Sequence, residues 1–450
     1  MIRYRRPSWR FPALGAMAAA SLCMAADWPQ FRGPSATGVG SGSRPPIHWD
    51  AAKGTNIVWK ADIPGLAVSS PIVWGDRVYV TTAISSDPTQ KFRIGPYGDT
   101  DSATDVSPHQ WKVLALDKLT GKILWEQTAH QGVPKTKRHP KSSQASPSPV
   151  TNGSVIVAYF GSEGLYAYST AGKLLWQKDL GIQNAGWFFD PDSEWAAASS
   201  PVIYKNSVIV LCDRQKDSFI AAFDLKDGKE LWRTARAEIP TWGTPTIVEG
   251  KDRAEVVTNG SKAIRGYDAD TGKELWTLGP NSEIACTTPV AASGLIFVTA
   301  GYPPVQPIYA IRTGSTGSLT LADGKTSSDA IAWSTLRGGS YLPTPIVYGD
   351  LFYTLNNNGV LTAYDPKTGS RTYQKRVEAD SFVASPVAAA GNLYLASEDG
   401  NIFVVKAGPQ FELVAKNAIG EPILATPAWA DDMLIVRGAS HLFAIAERAQ

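Results

Sequence analysis

Three stretches of this chain carry side chains that could do chemistry. Between Gly186 and Trp195, the aromatics Trp187, Phe188, Phe189 and Trp195 surround carboxylates at alternate positions, Asp190, Asp192 and Glu194. That mixture suits a stacking platform for a sugar or another flat ligand. It also suits a weak Ca²⁺ loop, although the Gly and the terminal bidentate Glu of an EF-hand are missing. Packing of the loop over a funnel competes with both readings and is the expectation. A basic run, Lys135, Lys137, Arg138 and Lys141, could receive an anionic protein partner, against the alternative of a solvated, mobile loop. Trp242 is the third, an indole where comparable segments carry Val, Ser, Ala, Cys or Leu, and Arg337 beside Gly338-Gly339 could offer a cation nearby. His48, His109, His130 and His441 show no metal-binding spacing, so no metal site is assigned. No nucleophile–base pair is recognisable either, and the catalytic residues of an enzyme would have to come from separate elements.

The elements that must position these groups repeat. Eight times a Ser or Thr precedes a Pro at the head of a short apolar run: Ser70, Ser148, Ser200, Thr244, Thr288, Thr344, Ser385 and Thr426. The unit from Ser200 to Trp232 reads as four short strands, Val202–Tyr204, Ser207–Leu211, Phe219–Phe223 and a last one ending at Trp232. Val, Ile, Tyr and Phe fill the runs and Gly, Asn and Asp the turns, as in antiparallel hairpins. Gly228 stands where the turn needs positive φ. Closing aromatics recur at Trp125, Trp176, Trp276, Trp333 and Tyr373, and the unit begun at Pro386 offers only Val414. Four-stranded sheets repeated about an axis make an all-β propeller. The last unit lacks one strand, and Asn56–Trp59 lacks a unit of its own. Joining them gives eight blades and removes an exposed edge. The Trp column is expected to pack blade against blade, and the Ser or Thr to satisfy a backbone group at the strand start.

The 450 residues carry a net charge of +2 with 19% charged side chains, which argues against a nucleic-acid surface. Met1–Arg10 holds four Arg and an apolar stretch follows to Ala25, the pattern of a secretory signal peptide too short to span a membrane. Leu22 before Cys23 speaks against lipidation. The organisation is therefore read as a leader at 1–26, an extension at 27–54 and one propeller domain at 55–450, periplasmic or secreted, with no transmembrane segment after leader removal. Only Cys212 and Cys286 remain, in different blades, so buried thiols are expected in place of a disulfide.

The Ser-Pro head, the third strands Leu165–Tyr168 and Ala222–Asp224, the Thr-Gly-Lys turn and the Leu-Trp end resemble the pyrroloquinoline quinone (PQQ)-type repeat. The resemblance covers roughly residues 55–450, and Trp28–Pro34 looks like the opening of its secreted bacterial branch. It implies the propeller fold. For function it implies two classes, quinoprotein dehydrogenases and non-catalytic members such as the outer-membrane-protein assembly lipoprotein. The enzymes hold Ca²⁺ beside PQQ, with a catalytic Asp and often an adjacent Cys pair. This chain has no adjacent cysteines and no ligand motif close enough to carry roles over.

Strand order places the insertions at 84–110, 128–145, 181–196 and 302–307 on one face, and that at 313–328 on the other. The four-insert face is the expected functional surface. The reading is a binding or scaffold module for a protein partner or an extracellular or envelope ligand, without cofactor. The alternative is a PQQ- and Ca²⁺-dependent dehydrogenase of alcohols or sugars, with Trp242 as its stacking floor. Ligand contact is assigned to Trp187, Asp190, Asp192, Glu194, Trp195, Trp242 and Arg337, and partner contact to Lys135, Lys137, Arg138 and Lys141.

Overall fold

The computed structural model describes residues 27–95, 101–187, 189–190, 192–379 and 381–447. The leader read at 1–26 lies outside them, as does part of the first insertion. Eight antiparallel sheets form the expected eight-bladed propeller. Blade 3 shows the unit, Val202–Tyr204, Ser207–Cys212, Phe219–Asp224 and Glu230–Ala235 from axis to rim. Blade 8 is closed as the strand count required: Ile57–Asp62 pairs with His441–Ile445, and His441 Nδ1 and Nε2 lie 2.8 Å from Glu421 and 3.1 Å from Asp62. Two details differ from expectation. The outer strand of blade 1 runs on to Gly132, so part of the 128–145 insertion is strand. Gly317–Ser318, from the insertion on the opposite face, adds a parallel fifth strand to the rim of blade 4. Among the described residues no helix is long and apolar enough to cross a membrane.

The tryptophan column stitches neighbouring blades. Trp59, Trp125, Trp176 and Trp333 each donate their indole N–H to a carbonyl in the next blade's turn, at 2.8–2.9 Å. The ring lies flat on that turn's glycine. At Gly228 (φ 71°) a Cβ would come within 2.7 Å of the Trp176 ring, so the turn chemistry and the packing demand the same residue. Register explains the apparent gap in blade 7. Trp125, Trp176, Trp232, Trp333 and Tyr373 each face an Ala on the third strand. In blade 7 the facing pair is Val404 and Ala415. The column position there is thus Ala415, not Val414, and the large residue has moved across the ladder.

The Ser and Thr residues do more than start strands. The backbone N–H of each donates to the hydroxyl of the next blade's Ser or Thr: Ser70 to Ser148, Ser148 to Ser200 and Ser200 to Thr244, at 2.8–3.0 Å. Thr288 to Thr344, Thr344 to Ser385 and Ser385 to Thr426 continue the series at 2.9–3.1 Å. Two of the eight joints, blade 4 to 5 and blade 8 to 1, are made differently. There a side chain at one repeat position, two residues past the ladder partner of the inner strand's first residue, reaches across instead. Asn259 donates to Thr287 O, Thr287 Oγ1 and Thr299 O, and Arg437 to Ser69 Oγ and Thr81 O. The hydroxyls of Thr288 and Ser70 are consequently buried without a partner.

Trp176→Ala should cost about 3–5 kcal/mol, from lost area and a cavity at the blade joint. Ser148→Ala should cost about 1–3 kcal/mol because it strands a buried N–H, whereas Ser70→Ala, which strands nothing, should melt like wild type. Denaturant titrations rank the three; equal losses for the two serine variants would refute the ring.

Candidate functional site

A cavity of about 720 Å³ lies on the axis, and all eight ring residues line it. The residues two positions earlier form a second circle above them. It carries Val68, Ser146 and Ala198 on one side, Trp242 and Cys286, then Leu342, Val383 and Leu424 on the other. The blade-to-blade connections place this circle on the insert-bearing side. The opposite end is closed by the N-terminal extension. Trp28, Pro29 and Gly38 exchange backbone hydrogen bonds with Val73, Thr151 and Ala388, each three residues past a ring residue. Phe31 thereby becomes the cavity floor. Beside it Arg32 is wholly buried, its guanidinium donating to the carbonyls of Ala36, Thr37, Pro345 and Pro386 at 2.9–3.3 Å. Desolvation pulls it down to about 9.

Aromatic side chains form the walls. Trp242 and Trp195 approach to 5.5 Å between ring centres, with Trp242 Nε1 anchored on Ala196 O at 2.9 Å. Tyr302 and Tyr341 pair at 5.7 Å. Cys286 is half-buried on the wall, not sealed in the core as expected, and desolvation pushes its thiol up to about 12. Cys212 is buried. Lys141 lines the rim and its ammonium bonds both oxygens of Glu398, at 2.8 and 2.9 Å, and Gly95 O. Glu398 accepts two more bonds, from Ser381 Oγ at 2.6 Å and Gly95 N at 2.9 Å.

The insertions are fastened to one another as a collar. Arg93 N donates to Pro140 O at 3.1 Å and Ala103 N to Arg138 O at 2.7 Å. Lys137 N reaches Glu194 Oε2, and Ser102 Oγ reaches Glu194 O, both at 2.7 Å. The basic run is therefore not a mobile loop. Arg138 is buried among backbone carbonyls and Lys141 is ion-paired, while Lys135 and Lys137 remain exposed. Of the proposed ligand contacts, Trp195 and Trp242 line the cavity. Trp187, Asp190, Asp192, Glu194 and Arg337 are not among its lining residues. Asp190 spends its oxygens within its own turn, on Asp192 N at 3.1 Å and Ser193 Oγ at 3.0 Å. Arg337 is exposed to solvent. Sequence reasoning missed Phe31, Tyr302, Tyr341 and Glu398. Two signals were present: Trp28–Pro34, a motif without a location, and the insertion at 302–307, placed on the functional face without a role for Tyr302.

The PQQ-type resemblance raises Ca²⁺ and PQQ, whose binding places demands on the donor set. A hard cation requires several convergent oxygens. Among the described residues no three His, Cys, Asp or Glu side chains converge, and Glu398, the carboxylate beside the rim, already takes four hydrogen bonds. Among the described residues the carboxylates therefore do not fit a Ca²⁺–quinone pair.

A family model described as outer membrane protein assembly factor BamB matches residues 35–212, 109–243 and 216–449. The chain is 21% identical over 278 residues to outer membrane protein assembly factor BamB of Shewanella oneidensis, covering 59% of this chain and 65% of that one. It is 19% identical over 367 residues to tetrathionate hydrolase of Acidithiobacillus ferrooxidans, covering 76% and 65%. The chain thus spans just under two thirds of the length of both relatives. Among solved structures, a europium-containing methanol dehydrogenase superposes with a TM-score of 0.58 at 14% identity, over 92% of this chain and 90% of that one. That last likeness is one of fold.

His139 supplies a test of the collar's burial. It lines the cavity edge-on to Trp195 at 5.6 Å, and its Nδ1 accepts from Lys141 N at 3.1 Å. Burial, then the charges of Lys141 and Arg138, pull its imidazole from 6.5 down to about 4. Between those values the unfolded chain takes up a proton that the folded chain refuses. Stability should therefore fall as pH drops from 6.5 towards 4, by at most about 1.4 kcal/mol per pH unit, and the effect should level off below. His139→Gln should flatten that slope in pH-dependent denaturant melts; an unchanged slope would mean the imidazole is solvated.

Proposed function

The chain belongs to the family described as outer membrane protein assembly factor BamB, and from that premise we propose that it is a non-catalytic binding scaffold. Its insert-bearing face holds a protein partner of the cell envelope. The observation that carries this reading is the collar. Segments from separate blades are fastened into one rim around an aromatic-walled funnel, so the binding surface is ordered before a partner arrives and less entropy is lost on association. Two features support binding over turnover. The acids near the mouth are spent on turns, backbone N–H groups and Lys141 instead of converging on a reacting atom. Exposed Phe189, Lys135 and Lys137 at the rim offer an apolar and cationic surface, which suits an acidic partner. The family description supports the envelope setting, and the leader pattern at 1–26 agrees with it. No cofactor takes part.

Photo-crosslinking tests the choice of face. A benzophenone side chain at Phe189 or Lys137 should yield one defined envelope protein, and one at Asp227, in a turn on the opposite face, should yield none. The reverse pattern would sink the proposal. So would stoichiometric uptake of PQQ with Ca²⁺, read by cofactor absorbance, together with dye-coupled alcohol oxidation.

A further inference from the structure

The wall of the axial cavity is apolar where a guest would enter. Of the eight residues in the upper circle, Cys286 behaves as a small hydrophobe and only Ser146 carries a hydroxyl. That hydroxyl is turned to its own loop, donating to Ser143 O at 2.8 Å and accepting from Ser143 N at 3.1 Å. Below the circle, six Ser and Thr hydroxyls accept bonds across the blade joints, and those of Ser70 and Thr288 are sealed from solvent. Near the mouth, Gln306 Nε2 donates to Gly301 O at 3.0 Å and the Lys141 ammonium is held by Glu398. These polar groups are engaged within the protein, and what they leave to a guest is apolar surface.

That surface has two halves. Trp195 and Trp242, 5.5 Å apart, and the Tyr302–Tyr341 pair at 5.7 Å make an aromatic arc over blades 3 to 6. Across the axis, Val383, Leu424 and Val68 make an aliphatic arc over blades 7, 8 and 1. Ring-on-ring contact is favourable beyond the area it buries, so the first arc selects a ring and the second its apolar neighbours. Size narrows the occupant further. In about 720 Å³ a lone ring would leave most of the space to water, whereas a loop tip with flanking side chains suits it. The collar residues His139, Lys141 and Trp195 line the same cavity, so the well is continuous with the face proposed for the partner. An apolar hollow of this kind in a binding face marks a place of insertion.

We infer that the axial well seats an uncharged aromatic side chain at the tip of a partner segment, its ring against the Trp242 and Tyr302 arc and its apolar neighbours against Leu424. The inference rests on the proposed binding face, and names what that face takes in at its centre. Recognition is by shape and apolar burial. An ionised group would lose its hydration there and meet a Lys141 already paired with Glu398.

The test follows quenching of tryptophan fluorescence in the full chain by a brominated ring, which acts on an indole at contact. The capped tripeptide leucine–4-bromophenylalanine–leucine should quench saturably. It should bind about fivefold or more tightly than bromobenzene, the ring alone, because the leucines add apolar area. Capped leucine–phenylalanine–leucine should displace it, and the same peptide with 4-carboxyphenylalanine at its centre should do so about tenfold less well. Ala198→Phe, which fills the well from its wall, should weaken the brominated peptide about tenfold while the thermal melt stays put. Should that variant fold poorly, Val68→Phe replaces it. Equal or tighter binding of bromobenzene would assign the well to a free small molecule and overturn the inference. Equal competition by the carboxylate peptide, or unchanged affinity in the filled variants, overturns it too. Peptide binding without crosslinks from Phe189 and Lys137 would defeat only the scaffold proposal; crosslinks without peptide binding would defeat only this one.

Discussion

Eight inner strands crowd around one axis, and each starts with a backbone N–H that no ladder can satisfy. That buried donor is the constraint on which the molecule depends. At six of the eight joints one blade lends its neighbour a hydroxyl, and at the other two Asn259 and Arg437 reach across, so the circle of bonds sets spacing and height at the centre. The Pro that follows is tolerated because its position calls for no donor. At the rim four indoles repeat the logic, those of Trp59, Trp125, Trp176 and Trp333, each passing its N–H to the next blade's turn. Blades are thus joined near both ends of each sheet, by polar bonds at the axis and by aromatic packing with one bond outside.

Where the ring changes its bonding, it changes at the same repeat position twice. Asn259 and Arg437 occupy equivalent places in blades 4 and 8, and their acceptors Thr299 and Thr81 do so in blades 5 and 1. Arg437 is buried without a carboxylate, and desolvation holds it down to about 9. A carbonyl and a hydroxyl oxygen carry its charge, where Arg32 relies on carbonyls alone. The central cavity inherits this two-sidedness.

The architecture was legible because it is local and repeated. Blade count, strand order, the closure through Ile57–Asp62 and the role of the tryptophans follow from patterns a few residues long. The site was legible only where one residue breaks the pattern. Trp242 stood out against Val, Ser, Ala and Cys and proved to be on the wall. Arg337 stood out by neighbouring glycines, which say nothing of direction, and it faces solvent. The basic run read as free charge because its partners are remote: Lys141 meets Glu398 across 257 positions. Trp28–Pro34 was visible as a motif, but Arg32 finds Pro345 and Pro386 only after the ring closes.

Many propellers have an open bore. Here the N-terminal extension lies across it, with Trp28, Pro29 and Gly38 tied by backbone bonds and Arg32 by its guanidinium to blades on both sides of the axis. The result is a blind well: a solute that enters must retrace its route, and residence is governed by the mouth alone.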